Sequence, residues 1–374
     1  MWSGISNFLI VLFFIGFIYG CNSDDSSRMV DSAPEKEATS RNFRMGFTTW
    51  PYAPTLEAVT STNMFLSSNG DIYSEHIDSN IPWNSWINSA ELPNSFTEMV
   101  SNRAIRRSPE NIMTLSISLL NLNRSDLMPD FDGEIPSYNS LNDEIIANAY
   151  YKHVNYLLEQ LTPNYLVIAV EVDGLLKNAP EKWEAYKSLM SNVKSRIKTE
   201  YPTLPISESV MLHGFYQPDF GESGAVISEI SSYVNTMDFA AISFYPFLKG
   251  LSDKSEFQAA LDFLHANINK PIAFAETGHL SEDLAISSFD LSITGTQAEQ
   301  NEYLESLLMN AQEENYEYII WWTHRDYNLL WETFPEDLKD LGELWISNGI
   351  INEDGIEKLA KQSWGETFSK QFSD

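Results

Sequence analysis

The sequence offers almost no material for thiol chemistry, because its 374 residues include a single cysteine, Cys21. One thiol cannot form an intramolecular disulfide or a cysteine metal cluster, so the fold must rely on its apolar core. The sequence also has no glycine-rich phosphate loop and no serine in a nucleophile-elbow pattern. These absences argue against a thiol enzyme, a nucleotide-binding doubly wound sheet and a serine hydrolase.

Basic residues are scarce as well. There are 23 lysines and arginines against 53 aspartates and glutamates, which gives a formal net charge of −30. Such a charge repels the phosphates of nucleic acid and of anionic lipids, and no local cluster of basic residues offsets it. We therefore expect no nucleic-acid partner and a neutral ligand rather than a polyanion. We also expect a monomer.

The N-terminus is apolar from residue 8 to residue 20 and has no acidic side chain before Cys21. This pattern is typical of a secretory signal peptide, although an uncleaved anchor helix is an alternative. The sequence Ile18-Tyr19-Gly20-Cys21 resembles a bacterial lipobox. That resemblance implies that residues 1–20 are a signal peptide and that Cys21 is lipidated. The membrane is then contacted only through this lipid.

Residues 21–42 are polar and charged without apolar periodicity, which predicts a disordered tether. Their acidic start resembles the surface-export signal of outer-membrane lipoproteins, so we expect an exported protein, in the outer membrane and exposed at the cell surface.

Residues 43–374 alternate short β-branched or aromatic runs with amphipathic helical segments, as βα units do. Eight such runs, and a length suited to one α/β barrel, predict a single (β/α)₈ TIM barrel. The predicted strands are residues 43–50, 64–68, 112–120, 165–172, 206–215, 237–245, 271–276 and 316–323.

Active sites of such barrels lie at the carboxyl ends of the strands. Glu171 and Glu276 stand there, each following an apolar run that would otherwise exclude a charge. We therefore take them as the catalytic candidates. Other polar and aromatic side chains near strand ends are candidates for substrate binding: Trp50, Tyr52, His76, Asp78, Trp83, Asp173, His213, Tyr245, Trp321, Trp322 and Asp326.

Three segments carry a resemblance to a known family. They are DFAAISFYPF at residues 238–247, PIAFAETG at residues 271–278 and IIWW at residues 319–322. They resemble strands six to eight of arabinogalactan endo-β-1,4-galactanases and related (β/α)₈ glycoside hydrolases, whose catalytic glutamates end strands four and seven. The chain departs from that clan at Val170, where an asparagine usually precedes the first glutamate.

The resemblance implies a retaining glycoside hydrolase that acts on a polysaccharide or oligosaccharide, with β-galactan as the first substrate to try. Glu276 would be the nucleophile, and Glu171 would keep its proton near neutrality and serve as the acid. Tyr245 would hydrogen-bond the nucleophile, and Trp321 or Trp322 would form the floor beneath the reacting sugar. No cofactor and no metal are implied.

Two alternatives remain open from the sequence. Val170 leaves room for a barrel that binds glycans at the cell surface without cutting them. A metal-dependent hydrolase could draw ligands from Glu75, His76 and Asp78, although no tight metal-ligand spacing is present. Further histidine ligands would then come from other strands, namely His213, His279 and His324.

Overall fold

The computed structural model describes residues 39–107 and 111–373. The predicted signal peptide, Cys21 and most of the predicted tether lie outside these residues. Within the part that is described, no helix combines the length and the apolar character needed to cross a bilayer.

The main strands form one parallel sheet that closes into a barrel, and two separate two-stranded ladders lie outside it. Each strand pairs with the next one along the chain, and the last strand pairs with the first. The strands are β1 Arg44–Thr48, β2 Ile72–Ile77, β3 Ile112–Ile117, β4 Tyr165–Val167, β5 Ile206–Ser207 with Ser209–Met211, β6 Ala240–Phe244, β7 Ile272–Thr277 and β8 Tyr318–Trp321. The predicted (β/α)₈ barrel is confirmed.

Helices surround this barrel and bury one apolar stripe each. The helix Glu144–Leu161, for example, buries Ile146, Ala149 and Leu157 against the sheet, at helical spacing. The α-helices are Leu56–Asn69, Trp83–Asn88, Asn94–Arg106, Glu144–Leu161, Asp173–Asn178, Trp183–Glu200, Leu212–Phe215, Ser223–Val234, Lys254–Asn267, Gln297–Glu313, Asn328–Trp331, Glu336–Glu343 and Leu359–Phe368.

One predicted strand, residues 64–68, is wrong, because these residues lie in the helix Leu56–Asn69. Thr55 caps that helix, and its buried residues Ala58, Thr62 and Leu66 recur every four positions. A short apolar run such as Met-Phe-Leu fits a helix and a strand equally well. The second barrel strand is β2, so Glu75 and His76 lie within a strand rather than after one.

The predicted end of the tether at residue 42 is also too late. Ser40–Arg41 forms a short strand that pairs in parallel with Gln371–Phe372. Arg41 is buried and makes a 2.6 Å ion pair with Asp71. An arginine fixed in this way belongs to the folded body.

Packed side chains fill the interior of the barrel below its mouth. Side chains from five strands and their flanks contact one another there, and the hydroxyl groups of Thr114 and Tyr318 hydrogen-bond at 3.1 Å. Polar side chains follow only towards the carboxyl ends of the strands, so the open mouth lies there. The packed residues are Ile72, Val167, Val170, Phe239, Ala241, Ala273, Ala275, Tyr318 and Ile320.

Candidate active site

Two glutamates meet at the mouth of the barrel through one serine. The hydroxyl of Ser243, on β6, lies 2.8 Å from Oε1 of Glu171 and 3.0 Å from Oε1 of Glu276. The two carboxylate oxygens are therefore no more than about 6 Å apart, in the range where one carboxyl group can attack while the other donates a proton. The structure thus brings together the two predicted catalytic candidates.

A β-bulge turns Glu276 into the barrel. The pairing of β7 shifts by one residue relative to β6, with Ile242 opposite Phe274 and Ser243 opposite Glu276. Strict alternation would place Glu276 on the helix side, because Ala275 already faces the interior. The extra residue places both side chains inward, as bulges next to active sites often do.

Glu171 is positioned by an irregular segment after β4. That strand ends at Val167, five residues before the end predicted from the apolar run. Glu171 has φ of +53°, a conformation that is uncommon for a residue other than glycine. Its backbone N–H donates to the Ser209 hydroxyl at 2.8 Å. Val170 packs into the barrel interior, so it presents no group to a sugar.

Arg124 is part of the site, and sequence reasoning missed it. Its Nη2 donates to Oε2 of Glu171 at 2.9 Å, and its Nη1 donates to the carbonyl of Asn121 at 3.1 Å. Gly174 makes room for it, because a Cβ at that position would lie 2.6 Å from Cβ of Arg124. The available signal was an isolated basic residue in a loop that leads away from a barrel strand.

The two glutamates have opposite pKa shifts. Burial raises the pKa of Glu276 to about 8, and the nearby charge of Glu171 adds to the shift. Burial also favours the neutral form of Glu171, but the Arg124 guanidinium and the Ser243 hydroxyl hold its pKa below the usual value. At neutral pH the free protein therefore has Glu171 ionised and Glu276 protonated. The expectation that Glu171 keeps its proton is wrong for the free protein, because Arg124 stabilises the carboxylate.

Two of the predicted binding residues are neutral histidines beside this pair. Nδ1 of His76 lies 3.4 Å from Oε2 of Glu276, and burial lowers the pKa of His76. Burial also lowers the pKa of His213, to about 4, despite the opposing charge of Glu171. Neither imidazole carries a charge at neutral pH. Each can therefore donate or accept a hydrogen bond.

Asp173 and Tyr245 are buried near the same pair. Burial raises the pKa of Asp173 to about 7, and its Oδ1 accepts the N–H of Met211 at 2.9 Å. Tyr245 is 2% exposed, and burial and then the charges of the two glutamates keep its pKa well above the usual value. No hydrogen bond joins Tyr245 to Glu276 among the described side chains, so that expected contact is absent.

A cavity of ≈ 660 Å³ reaches His76, whose Nδ1 lies 3.4 Å from Oε2 of Glu276, and neither glutamate lines the cavity itself. The ring of Trp322, which also lines the cavity, lies 5.5 Å from that of His76. The lining combines aromatic and polar side chains. The aromatic residues are Trp50, Trp322, Tyr327, Phe334 and Trp345, and the polar residues include Asp78, Asn80, Arg103, Asn121 and Asn123. The structure thus brings four predicted binding residues to this cavity: Trp50, His76, Asp78 and Trp322.

Two predicted tryptophans lie elsewhere. Trp83 is buried beneath the helix layer, and its Nε1 donates to the carbonyl of Met128 at 2.7 Å. Trp321 faces the helices because side chains alternate along β8, and its Nε1 donates to the carbonyl of Asn348 at 2.7 Å. Both predictions are wrong, and of the adjacent residues Trp321 and Trp322 only Trp322 lines the cavity.

Tyr52 and Asp326 also have structural partners instead of a place on the cavity wall. The guanidinium of Arg325 stacks over the ring of Tyr52 at 3.9 Å. Asp326 is buried with Lys358, whose Nζ lies 2.6 Å away, and it also accepts the N–H of Gly349. These contacts hold the loops after β8, so we assign neither residue to substrate binding.

The residues do not fit a metal centre at the mouth. Glu75 faces away from His76 and is paired with Arg103 at 2.5 Å and Arg106 at 2.8 Å. Among residues 39–107 and 111–373, the only three-residue group spaced to hold an ion is Glu282, Asp326 and Glu353, where Asp326 already binds Lys358. The metal-dependent alternative therefore loses its ligand set.

Comparisons with known proteins give a structural likeness and no sequence match. No protein-family model and no curated protein matches the chain. An exo-β-1,4-mannosidase from Opitutaceae bacterium strain TAV5 superimposes with a TM-score of 0.63 and 14% identity, over 91% of this chain and 62% of that protein. This chain therefore spans less than two thirds of that enzyme.

Two further structures are similar over most of both chains. The GH53 catalytic domain of Ignisphaera aggregans gives a TM-score of 0.58 at 16% identity, over 90% of this chain and 98% of that one. A GH5_18 protein from Bifidobacterium longum gives 0.60 at 15% identity, over 87% and 78%. The likeness is one of fold. At these identities it shows the (β/α)₈ barrel and assigns no activity.

Proposed function

We propose that the protein is a retaining glycoside hydrolase that cleaves β-glycosidic bonds in a polysaccharide or oligosaccharide. The observation that carries the proposal is the pair Glu171 and Glu276, held within about 6 Å of each other by Ser243 at the barrel mouth. This spacing suits a direct attack by one carboxylate. An inverting enzyme needs a wider gap, because a water molecule must fit between the sugar and the second carboxylate.

The proposed reaction has two steps. Glu276 attacks the anomeric carbon as a carboxylate and forms a glycosyl ester, while Glu171 gives its proton to the departing glycosidic oxygen. In the second step Glu171 takes a proton from water, whose oxygen attacks the same carbon and releases Glu276. Both displacements invert the carbon, so the product keeps the β configuration.

The cavity supports a carbohydrate substrate. The flat rings of Trp322 and Trp50 offer stacking surfaces for the apolar face of a pyranose, and they lie 5.8 Å apart. The same cavity is also lined by Asp78, Asn80 and Asn121, whose polar groups suit sugar hydroxyl groups. β-Galactan remains the first substrate to test, and the exo-β-1,4-mannosidase and the GH5_18 complex with Manβ1-4GlcNAc add β-mannosides to the panel.

A substrate panel and anomer analysis test this proposal. We expect reducing ends to be released from at least one β-glycan, and nuclear magnetic resonance to show the β anomer as the first product. Glu276→Gln should lower kcat by about 10³-fold or more, because an amide cannot attack the anomeric carbon. Glu282→Gln, a change to an exposed glutamate, is the matched control and should retain activity.

A glycan-binding barrel without catalysis is the second candidate. The observations that favour it are the burial of Val170 and the ion pair that keeps Glu171 charged. It predicts no turnover on any glycan, with Glu171→Gln and Glu276→Gln changing only affinity. Isothermal titration with the same panel separates the two functions.

We also propose that the protein is an exported outer-membrane lipoprotein, on the basis of the apolar N-terminus and Cys21. Labelled palmitate should be incorporated into the full chain and lost in Cys21→Ser. Incorporation that survives this substitution would refute the assignment.

A further inference from the structure

The two hydrogen bonds of Ser243 also bear on where the protons of this site lie. Its oxygen lies within 3.0 Å of an oxygen from each glutamate. Two such bonds need two protons, and a serine hydroxyl supplies one. The second contact becomes a full hydrogen bond when a carboxyl O–H donates to the serine oxygen, and the three side chains then share one proton beyond that of the serine.

Arg124 decides which carboxyl group carries that proton. Its guanidinium bonds Oε2 of Glu171 at 2.9 Å, and such a charge-assisted bond favours an ionised acceptor. Among residues 39–107 and 111–373, no lysine or arginine lies within ion-pair distance of Glu276, and its neighbour His76 is neutral. The resting arrangement is therefore Glu276–OH donating to Ser243, with the Ser243 hydroxyl donating to Glu171.

This resting arrangement is the reverse of the one that the proposed reaction needs. Attack requires Glu276 without its proton, and departure of the leaving group requires Glu171 with one. The Ser243 oxygen hydrogen-bonds to one oxygen of each glutamate, and these two bonds form a path for the proton. Among the described residues, Ser243 alone hydrogen-bonds to both glutamates.

We propose that Ser243 is a proton relay, which passes the proton of Glu276 to Glu171 as the glycosidic bond breaks; this rests on the proposed function. The O–H bond of Glu276 breaks while a new O–H bond forms on Ser243. The original serine O–H bond breaks at the same time, and its proton goes to Glu171. The serine is regenerated neutral, and the pair keeps the same total charge.

Other titratable groups lie around Ser243, but among the described residues none of them hydrogen-bonds to both glutamates. Arg124, Asp173 and His213 face Glu171, and His76, Asp78, Arg124 and Tyr245 face Glu276. His76 and His213 are neutral at neutral pH, so neither drives the transfer electrostatically. Strand β6 directs Ser243 into the barrel, because Ser243 lies two residues after Ala241 and therefore on the same inward face.

Ser243→Ala is the direct test, with the 2,4-dinitrophenyl β-glycosides of galactose and mannose as probes. This leaving group needs no protonation, so its release reports only whether Glu276 is ionised. Between pH 6 and pH 8, where the pair carries one proton, we expect wild-type kcat/KM to vary little, because the relay frees Glu276 by passing its proton to Glu171. In Ser243→Ala kcat/KM should be at least about 10-fold lower at pH 6, because Glu276 must first lose its proton to solvent, and should rise through pH of about 8 towards wild type.

Two variants separate a relay from a packing role. Ser243→Thr restores the hydroxyl and should restore the wild-type profile. Ser116→Ala is the matched control, since it removes another buried serine hydroxyl whose oxygen contacts neither glutamate. Its profile should be parallel to wild type at every pH.

The outcomes are distinguishable. A Ser243→Ala profile parallel to wild type, with a constant ratio, overturns the relay and leaves the hydrolase proposal standing. No hydrolysis by the wild type of the panel or of either probe overturns both. If Ser243→Ala fails to fold, the solvent deuterium isotope effect of the wild type decides: the relay requires a normal effect with the dinitrophenyl probes, and its absence overturns the relay.

Discussion

At the scale of single residues, one cation arranges the charges of the candidate site. Arg124 is 11% exposed at its side chain and contacts a glutamate 47 positions along the chain. Without it, two buried carboxyl groups at this spacing would both tend towards the neutral form. The ion pair separates their pKa values, and that separation is what acid–base chemistry at neutral pH needs.

Arg124→Gln should move the acid limb of the pH profile of kcat/KM to higher pH. The pKa of Glu171 is held down by this guanidinium, so its loss lets Glu171 take up a proton at a higher pH. A second proton on the pair abolishes nucleophilic attack, and activity is then lost earlier as the pH falls. Arg325→Gln changes an arginine that stacks on Tyr52 and should leave the limb unchanged. An unchanged limb in Arg124→Gln would contradict the assigned role.

The two glutamates could be predicted from the sequence and Arg124 could not, because only the glutamates interrupt apolar runs. A carboxylate that ends a buried strand interrupts an apolar run, which makes its position visible in the sequence. Arg124 lies in an irregular loop, where no period indicates the direction of a side chain. Its partner is fixed by the closure of the barrel, a long-range feature that local pattern does not contain.

At the scale of elements, β2 gives opposite roles to two consecutive residues. His76 faces the cavity and Glu276, whereas Glu75 faces the helix Asn94–Arg106 and is fully buried. The predicted strand at residues 64–68 would put Glu75 and His76 together in a polar segment after a strand. Within β2 they point to opposite sides, so His76 faces the cavity while Glu75 pairs with the helix Asn94–Arg106.

Glu75→Gln should destabilise the protein by about 3 kcal/mol, because two arginines lose the carboxylate that pairs with them inside the protein. Urea denaturation measures the change. Asp219→Asn breaks the exposed pair with Lys177 and should cost less than about 1 kcal/mol, so it serves as the control. Equal losses of unfolding free energy in the two variants would contradict this prediction.

Residues 327–345 contribute three aromatic rings to the cavity lining, Tyr327, Phe334 and Trp345. Trp345→Ala removes one of these rings and should raise KM about 5-fold with little change in kcat, since stacking stabilises bound sugar before and during reaction alike. Leu329→Ala alters an exposed residue of the same segment away from the cavity and is the control. A loss confined to kcat would place Trp345 in the chemistry instead.

At the scale of the whole molecule, the barrel was predictable because it repeats. Alternating strands and helices recur eight times, and the error at residues 64–68 did not change the count. The pairing of residues 40–41 with 371–372 was not predictable, since two-residue strands have no period.

The net charge of −30 should make stability depend on salt. Screening shortens the range of repulsion from about 30 Å at 0.01 M salt to about 8 Å at 0.15 M, and exposed ion pairs lose little in exchange. We therefore expect the midpoint of thermal unfolding to rise between these two NaCl concentrations. Sodium sulfate at equal ionic strength controls for effects specific to the anion. A midpoint that falls as the NaCl concentration rises would contradict the prediction.

The short ladder between Ser40–Arg41 and Gln371–Phe372 has a consequence for engineering. It brings the two ends of the described body side by side at the barrel wall. A few flexible residues could join residue 373 to residue 39, and new ends could be opened in an exposed loop. Such a circular permutant would keep every strand neighbour of the barrel while reversing which half of the site is synthesised first.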